Sequence, residues 1–178
     1  MTIKIIGITL TNMKVEELMF GDLVQVAKDV CIKKGTIVKV RSIDGDNSFP
    51  EKGLKGCATC VALDDRTLSG GVWVEYLNPI PLTPEIFEKN RFHKQVWNDL
   101  VTEYTFATDL EQSPQTVIQF TSYSREIEGV KSLLKMWTKS KYGHGQNDVH
   151  LCGIYYVHEL QHALRIIGLN EIADNFVL

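Results

Sequence analysis

The sequence is poor in the features that mark secreted, membrane-spanning or strongly charged proteins. It has four cysteines and five prolines in 178 residues, and its acidic residues exceed lysine and arginine by three. Four scattered cysteines do not predict a secreted disulfide scaffold, and no run approaches the roughly 18 apolar residues of a membrane span. The small net charge gives no basic field to attract nucleic acid or anionic lipid. We therefore expect a soluble, cytoplasmic protein with reduced thiols and no membrane contact.

Alternating apolar residues in the first half predict short antiparallel strands, at residues 21–26, 35–43, 57–63 and 72–77. The segment 44–53 is rich in Gly, Asn, Asp and Pro, which favour turns, so we expect a loop there. Four strands of this length predict an N-terminal subdomain, residues 1–78, built as an SH3-like small barrel or a curled sheet.

A proline-rich connector with a short helix follows at residues 79–92. Pro79 and Pro81 cannot continue a central strand, because proline donates no backbone hydrogen bond. Thr83 is a good helix cap, Pro84 suits the first helical position and Asn90 suits the end. The pattern predicts a helix over residues 83–90.

The remaining residues, 93–178, predict a second small sheet closed by a C-terminal helix. Strands are expected at residues 99–106, 116–123 and 149–154, with a turn at 111–114 and a loop at 142–148. Apolar residues in 127–140 fit both helical and strand spacing, and we favour strand. A helix is predicted over 155–167, ended by Gly168. The fold class is therefore α+β and mainly antiparallel β.

The C-terminal helix carries the string His158-Glu159-Leu160-Gln161-His162, which matches the H-E-x-x-H pattern of zinc proteases. In that pattern two histidines one turn apart bind zinc, and the glutamate between them polarises the attacking water. A catalytic zinc also needs a third protein ligand. Only Glu171 and Asp174 are available downstream, just past the Gly168 stop.

We predict that this string is not a working zinc protease site. The apolar stripe of the helix consists of Val157, Leu160, Leu164 and Ile167, which should leave both histidines on a solvated face. A zinc-dependent hydrolase using His158, Glu159 and His162 remains as an alternative.

Cys57 and Cys60 have the C-x-x-C spacing of zinc knuckles and of thiol redox sites. A zinc site would need further ligands, for which His150, Cys152 and the nearby His144 are the candidates. Redox sites of this kind place a low-pKa cysteine at a helix start, whereas this pair falls in a predicted strand. Strand alternation would also point the two thiols to opposite faces. We interpret both as small buried apolar residues.

One basic and aromatic cluster could touch a partner: Lys131, Lys135, Trp137, Lys139 and Tyr142. Lysines can contact phosphates and aromatic rings can stack on bases, so nucleic-acid binding is an alternative function. A charge run of this kind is usually a solvated face, and the sequence contains no glycine-rich phosphate loop and no G-x-S-x-G elbow.

Two segments carry a resemblance to a known family, residues 75–92 and residues 156–164. The first contains the string Pro79-Ile80-Pro81-Leu82 and ends in Lys89-Asn90-Arg91-Phe92. They resemble uncharacterised small proteins of gut bacterial genomes and their prophages or mobile elements. Members join a GD-x-V strand pair, a P-I-P-L-T-x-E-I-L-x-K-N-G-F connector and a closing Y-V-H-x-L-Q helix. This chain departs from the pattern in having Arg91 where glycine is common.

The resemblance implies a packing role for Leu160 and Gln161, which are constant in the family pattern, whereas Glu159 and His162 are not fixed in it. The resemblance implies no enzymatic activity. We therefore expect a non-enzymatic accessory protein of phage or mobile-element origin that needs no cofactor or metal. We expect its partner to be a macromolecule, and a protein rather than a nucleic acid.

Overall fold

The protein is described by a computed structural model over residues 13–107, 115–127, 130–140, 143–144 and 149–178. The chain divides into two compact units. The first extends to Pro81 and includes Tyr156–His162, and the second contains Leu82–Tyr155 and Ala163–Leu178. Each unit holds one antiparallel sheet, so the predicted α+β, mainly antiparallel class is confirmed. Across the described ranges, no helix combines the length and apolarity that crossing a membrane requires.

The sheet of the first unit has five strands: β1 Leu23–Val26, β2 Ile37–Phe49, β3 Leu54–Ala62, β4 Ser69–Trp73 and β5 Leu77–Asn78. Their order is β4-β3-β2-β1-β5. Among the described strands β4 and β5, at the two ends, do not pair with each other, so the sheet is open. Of the two predicted forms, a closed barrel is not what these described strands make.

Side-chain alternation makes one face of this sheet a core. Burial in β3 alternates from Leu54 to Ala62, as expected for a strand with one covered face. The core consists of Met13, Leu18, Val24, Val26, Ile32, Val38, Val40, Ala58, Cys60, Val72, Val74 and Leu77.

The loop predicted at residues 44–53 is wrong. β2 continues to Phe49 and pairs with β3, with a register shift between Asp44 and Ser48, and only Pro50–Lys52 form a 3-10 turn. The turn-forming residues are absorbed by the shift because pairing along the rest of the hairpin outweighs their local preference. The strand predicted at 72–77 is likewise interrupted, by a 3-10 turn at Val74–Tyr76.

The second unit contains a six-stranded sheet and short helices. Its elements are α1 Pro84–Lys89, β6 His93–Asn98, β7 Val101–Ala107, β8 Gln115–Ile127, β9 Val130–Ser140, β10 Gly143–His144, β11 Val149–Cys152 and α3 Asn170–Asp174. The strand order is β10-β9-β8-β7-β6, and β11 also pairs with β9. Helix α2, Val157–Ile166, begins in the first unit and ends in the second.

Several predictions for this half are confirmed. Thr83 caps α1 through its side chain, which accepts a hydrogen bond from Ile86 N. Within the ambiguous segment 127–140, Val130–Ser140 form the strand β9, as favoured from the sequence, and Ile127 is the last residue of β8. Strand β6 and helix α3 were not predicted. The six residues of β6 are all exposed, so the strand shows no alternation of apolar and polar residues. The turn predicted at 111–114 lies outside the described residues.

Aromatic side chains form the core of the second unit. Phe87 of α1 stacks on Tyr104 with ring centroids 4.3 Å apart, and it also contacts Phe120 and Phe92. Phe92 in turn contacts Phe106. Because aromatic pairs add to the area that they bury, α1 is held to the sheet by Phe87 at its centre.

Asn90 explains part of the connector motif. Its amide exchanges two hydrogen bonds with the backbone of Val177, at 2.8 and 2.7 Å, and donates to Ile86 O. The chain then reverses at Arg91, which has a positive φ of 64°. Glycine is favoured in this conformation because it has no Cβ, so the backbone of Arg91 is strained.

The predicted end of α2 is confirmed. Gly168 has a φ of 83°, its N–H bonds Arg165 O at 3.0 Å, and Leu169 N bonds Leu164 O at 2.8 Å. These two bonds satisfy carbonyl groups that the end of a helix leaves free.

We expect Gly56→Ala to destabilise the fold by about 3 kcal/mol. Gly56 has a φ of 83°, and a Cβ there would lie 2.0 Å from Val15 Cγ2. Gly35→Ala is the matched control, because its φ is 89° but no atom lies within 4 Å of the added Cβ. The control should lose only about 1 kcal/mol in urea unfolding. Equal losses would show that contact with Val15 contributes nothing.

Arg91→Gly should stabilise the fold by about 0.5–1 kcal/mol, because glycine removes the strain of the positive φ. Part of this stabilisation is offset, because glycine also raises the conformational entropy of the unfolded chain. Arg91→Ala is the control, since alanine keeps the Cβ that causes the strain. Urea unfolding of the three proteins compares them. A gain in the alanine variant equal to that of glycine would place the penalty in the arginine side chain instead.

Candidate functional site

The start of α2 is fixed by the connector and by Glu159. Val157 N donates to Ile80 O at 2.9 Å, and Pro81 forms an isolated bridge with Tyr156. The carboxylate of Glu159 accepts from Tyr156 N at 3.0 Å, three residues earlier. A glutamate at this position satisfies a free N–H of the first turn. One oxygen of Glu159 is therefore used in capping the helix.

Gln161 joins the next turn of the helix to the start of β1. Its side chain is fully buried. Oε1 accepts from Leu23 N at 2.9 Å, and Nε2 donates to Gly21 O at 3.3 Å. A buried amide must be hydrogen-bonded, and here both ends of the amide are satisfied by the residues on either side of Asp22.

Asp22 and His162 form a short polar contact. The Asp22 side chain is 0% exposed, and its Oδ2 lies 2.7 Å from Nε2 of His162, whose side chain is 20% exposed. The same oxygen accepts from Met19 N at 2.7 Å. A carboxylate removed from water needs such partners. His162 therefore anchors the helix, and the prediction that it lies on a solvated face is wrong.

His158 is buried without a hydrogen-bond partner for Nδ1 among the described residues. The residue is 4% exposed, and its ring stacks on Tyr156 at a centroid distance of 5.9 Å. Burial lowers the pKa of His158, although Asp22, Glu159 and Glu17 act in the opposite direction. The imidazole is thus neutral near pH 7. The solvated face predicted for His158 is also wrong, because the ring packs under Tyr156.

A cavity of about 380 Å³ lies beside these histidines in the first unit. It is lined by Met13, Glu17, Pro79, Tyr156, His158, Glu159 and His162. Its size falls within the range of about 300–1,000 Å³ typical of ligand pockets. Two carboxylates, two imidazoles and a phenol therefore converge on one cavity with an apolar wall.

The two histidines of the string are not engaged alike. Their rings are 5.7 Å apart and nearly perpendicular, but Nε2 of His162 faces Asp22. Within the described ranges, no group of three His, Cys, Asp or Glu side chains is arranged to hold a metal ion. Of the suggested third ligands, Asp174 forms an ion pair with Arg165 at 3.2 Å.

Cys57 and Cys60 lie on opposite faces of β3, as predicted from strand alternation, with Cys60 in the core and Cys57 half-buried. Burial raises the pKa of Cys60 to about 12 and also raises that of Cys57. Both remain thiols near pH 7, so neither has the low pKa of a redox cysteine. The side chains of His144, His150 and Cys152 lie outside the described part of the structure.

The basic cluster falls mainly on β9. Lys131, Lys135, Trp137 and Lys139 belong to this strand. Lys135 is partly exposed. The side chains of the others, and Tyr142 altogether, lie outside what the structure describes. Partner binding by this cluster stays a prediction.

Sequence reasoning missed most of the cavity. The sequence pattern does not mark Met13 or Glu17, it marks Pro79 only as part of the connector, and Asp22 falls within the strand predicted at residues 21–26. Nothing in the local pattern signals that Asp22 is buried, since its partner lies 140 residues away. The one usable signal is the pairing of the GD-x-V and Y-V-H-x-L-Q motifs in the family pattern.

The pKa of His158 generates a prediction for stability. A buried histidine with a lowered pKa stays neutral while the unfolded chain takes up a proton, so stability falls as pH drops below about 6.5, the ordinary value. The slope from one such group is at most about 1.4 kcal/mol per pH unit. His158→Phe should flatten this dependence in urea unfolding between pH 7.5 and 5. His93→Phe, at an exposed position, should not, and an unchanged slope in His158→Phe would contradict the assignment.

Comparison with protein-family models, with curated proteins and with solved structures finds no match for this chain.

Proposed function

We propose that the protein is a non-enzymatic binding module whose first unit takes an arginine side chain of a partner protein into the cavity beside His158. The observation that carries the proposal is the buried Nδ1 of His158, a residue of the cavity lining, because this atom has no hydrogen-bond partner in the described part of the chain. A buried polar atom without a partner costs about 1–3 kcal/mol. A ligand that donates a hydrogen bond to it would recover that energy.

The charge of the cavity favours a cation. Glu17 and Glu159 contribute two carboxylates to the lining, and a third carboxylate, that of Asp22, contacts the lining residue His162. Because the neutral His158 ring brings no positive charge, the cavity is negative overall. A neutral imidazole can accept a hydrogen bond at Nδ1, so a cationic donor satisfies both the charge and the hydrogen bond.

Arginine fits this lining better than lysine. Its planar guanidinium presents several donors, stacks on aromatic rings and is weakly hydrated. The ring of Tyr156 offers such a wall, and Met13 and Pro79 can contact the aliphatic stem. Burial is the main cause that raises the pKa of the Tyr156 phenol, with Glu159 and Glu17 contributing. Tyr156 therefore adds no negative charge near pH 7.

Exposed apolar residues next to Asp22 in the chain support a protein as the source of the arginine. Met19 and Phe20 are exposed large apolar residues, and Met19 N bonds the same Asp22 oxygen that faces His162. Aromatic residues and methionine are enriched at protein interfaces. The resemblance to prophage and mobile-element proteins supports an accessory role, and the cytoplasmic location expected from the sequence belongs to the same proposal.

The use of the string residues supports a non-enzymatic role. Glu159 caps the helix, Gln161 and His162 bind the start of β1, and Leu160 is fully buried. In a zinc protease the glutamate would face a metal-bound water and both histidines would bind the metal. A zinc-dependent hydrolase is therefore an outcome that the test must be able to reveal.

The test is an NMR titration with Nα-acetyl-arginine methylamide, using the citrulline analogue as the uncharged control ligand. The arginine compound should shift the His158 ring signals, and the citrulline compound should bind at least about tenfold more weakly. Glu17→Gln should weaken binding about fivefold, because Glu17 is exposed and its charge is screened. Glu16→Gln, the neighbouring exposed acid outside the cavity lining, should leave binding unchanged.

Equal binding of the two ligands, or equal effects of the two glutamine variants, would contradict the proposal. Elemental analysis of the protein purified without chelator is run in parallel. Stoichiometric zinc that is lost in His162→Ala would replace the binding module with the hydrolase alternative.

A further inference from the structure

Strand β6 is an exposed strand at one edge of the second unit's sheet. All six of its residues are exposed. Val96 is 62% and Trp97 is 60% exposed, although both are large and apolar. Among the described strands β6 pairs only with β7, so the backbone groups along its outer edge have no strand partner. Such an edge can pair with another strand.

The two faces of β6 carry different side chains. Gln95 lies opposite Glu103 of β7, and Lys94 lies opposite Tyr104, so these neighbours point to opposite faces. The indole of Trp97 donates a hydrogen bond to Glu103, which places Trp97 on the Gln95 face. His93 shares that face by alternation, and Val96 shares the Lys94 face.

We propose that β6 pairs in antiparallel register with β6 of a second copy, about a two-fold axis at Gln95. This inference rests on the exposed edge and is independent of the cavity in the first unit. A two-fold axis perpendicular to the sheet keeps each face on its own side, so residues of the same face meet. Gln95 then lies opposite itself, Lys94 opposite the second copy's Val96, and His93 opposite its Trp97.

Charge and regularity select this register. Lys94 is the one charged side chain of β6. An axis at Lys94 would oppose two lysines, and like charges directly opposite each other are destabilising. An axis at Val96 would use Asn98, which follows a register shift after Val96. The axis at Gln95 avoids the facing lysines and the register shift. It places the stem of Lys94 beside Val96 and the imidazole of His93 beside the indole of Trp97.

The expected association is weak and closed. Specific interfaces that bury less than roughly 1,200 Å² of total surface are usually transient. We expect the pairing of two six-residue strands to bury less than this area. Each copy uses the same strand, so the contact joins two copies and leaves no second site for growth. A reversible dimer is therefore expected rather than a filament.

Disulfide trapping tests the register. In a Cys31→Ser background, which removes an exposed native thiol, Gln95→Cys places two thiols opposite each other. Opposed residues in antiparallel strands have Cα atoms about 4.5–5.5 Å apart, within disulfide range. Oxidised glutathione should then give a covalent dimer of the full chain. His93→Cys is the matched control on the same strand, because its two copies would be about 13 Å apart.

Sedimentation equilibrium tests the association itself. The unmodified protein should show a dimer that grows with concentration, and Val96→Lys should reduce its association constant at least about tenfold by opposing two lysines. Ile166→Lys, at a position 73% exposed on α2, should leave the constant unchanged. A monomer at all concentrations, equal trapping at positions 93 and 95, or an equal effect of the two lysine variants would each overturn the proposal.

Discussion

The first unit depends on one buried carboxylate. Asp22 has no exposed side-chain surface, and removing a carboxylate from water is tolerated only where partners replace the lost hydration. His162 and the N–H of Met19 supply these partners, and Gln161 bonds the backbone on both sides of the aspartate. The polar groups of residues 21–23 and those of Gln161 and His162 are therefore hydrogen-bonded to each other. The position of His158 beside the cavity follows, since it lies one helical turn before His162.

The same constraint shows why an H-E-x-x-H string need not be a metal site. Histidines four residues apart share a helix face whatever they bind, and the face here is turned toward an aspartate as well as a cavity. Glu159, at the third helical position, is equally suited to capping and to catalysis, and the structure uses it for capping. What separates the two uses is the carboxylate that meets His162, which the string itself does not contain.

The sequence permitted prediction of features set by neighbouring residues. The Thr83 cap, the Gly168 stop, the alternation in β3 and the antiparallel class all arise from contacts within a few residues or from a repeating pattern. The loop at 44–53 failed because pairing with β3 overrides local turn preference. The buried state of His158 and the cavity around it could not be predicted, because both depend on Asp22, which is distant in sequence from His162. Strand β6 gave no pattern because neither of its faces is covered.

The motif segments contain residues that hold the fold together and also most of the cavity lining, Pro79, Tyr156, His158, Glu159 and His162. Asn90, Gln161 and the connector prolines hold the chain together through backbone hydrogen bonds and fixed turns. Glu17 and Trp97, which would meet a partner or a second copy, lie outside the motif strings. Substitution at exposed positions of this kind usually changes stability little. A change at Glu17 or Trp97 can therefore alter a proposed contact while the fold is kept, whereas a change at Tyr156 or His158 would affect the start of α2 as well as the cavity.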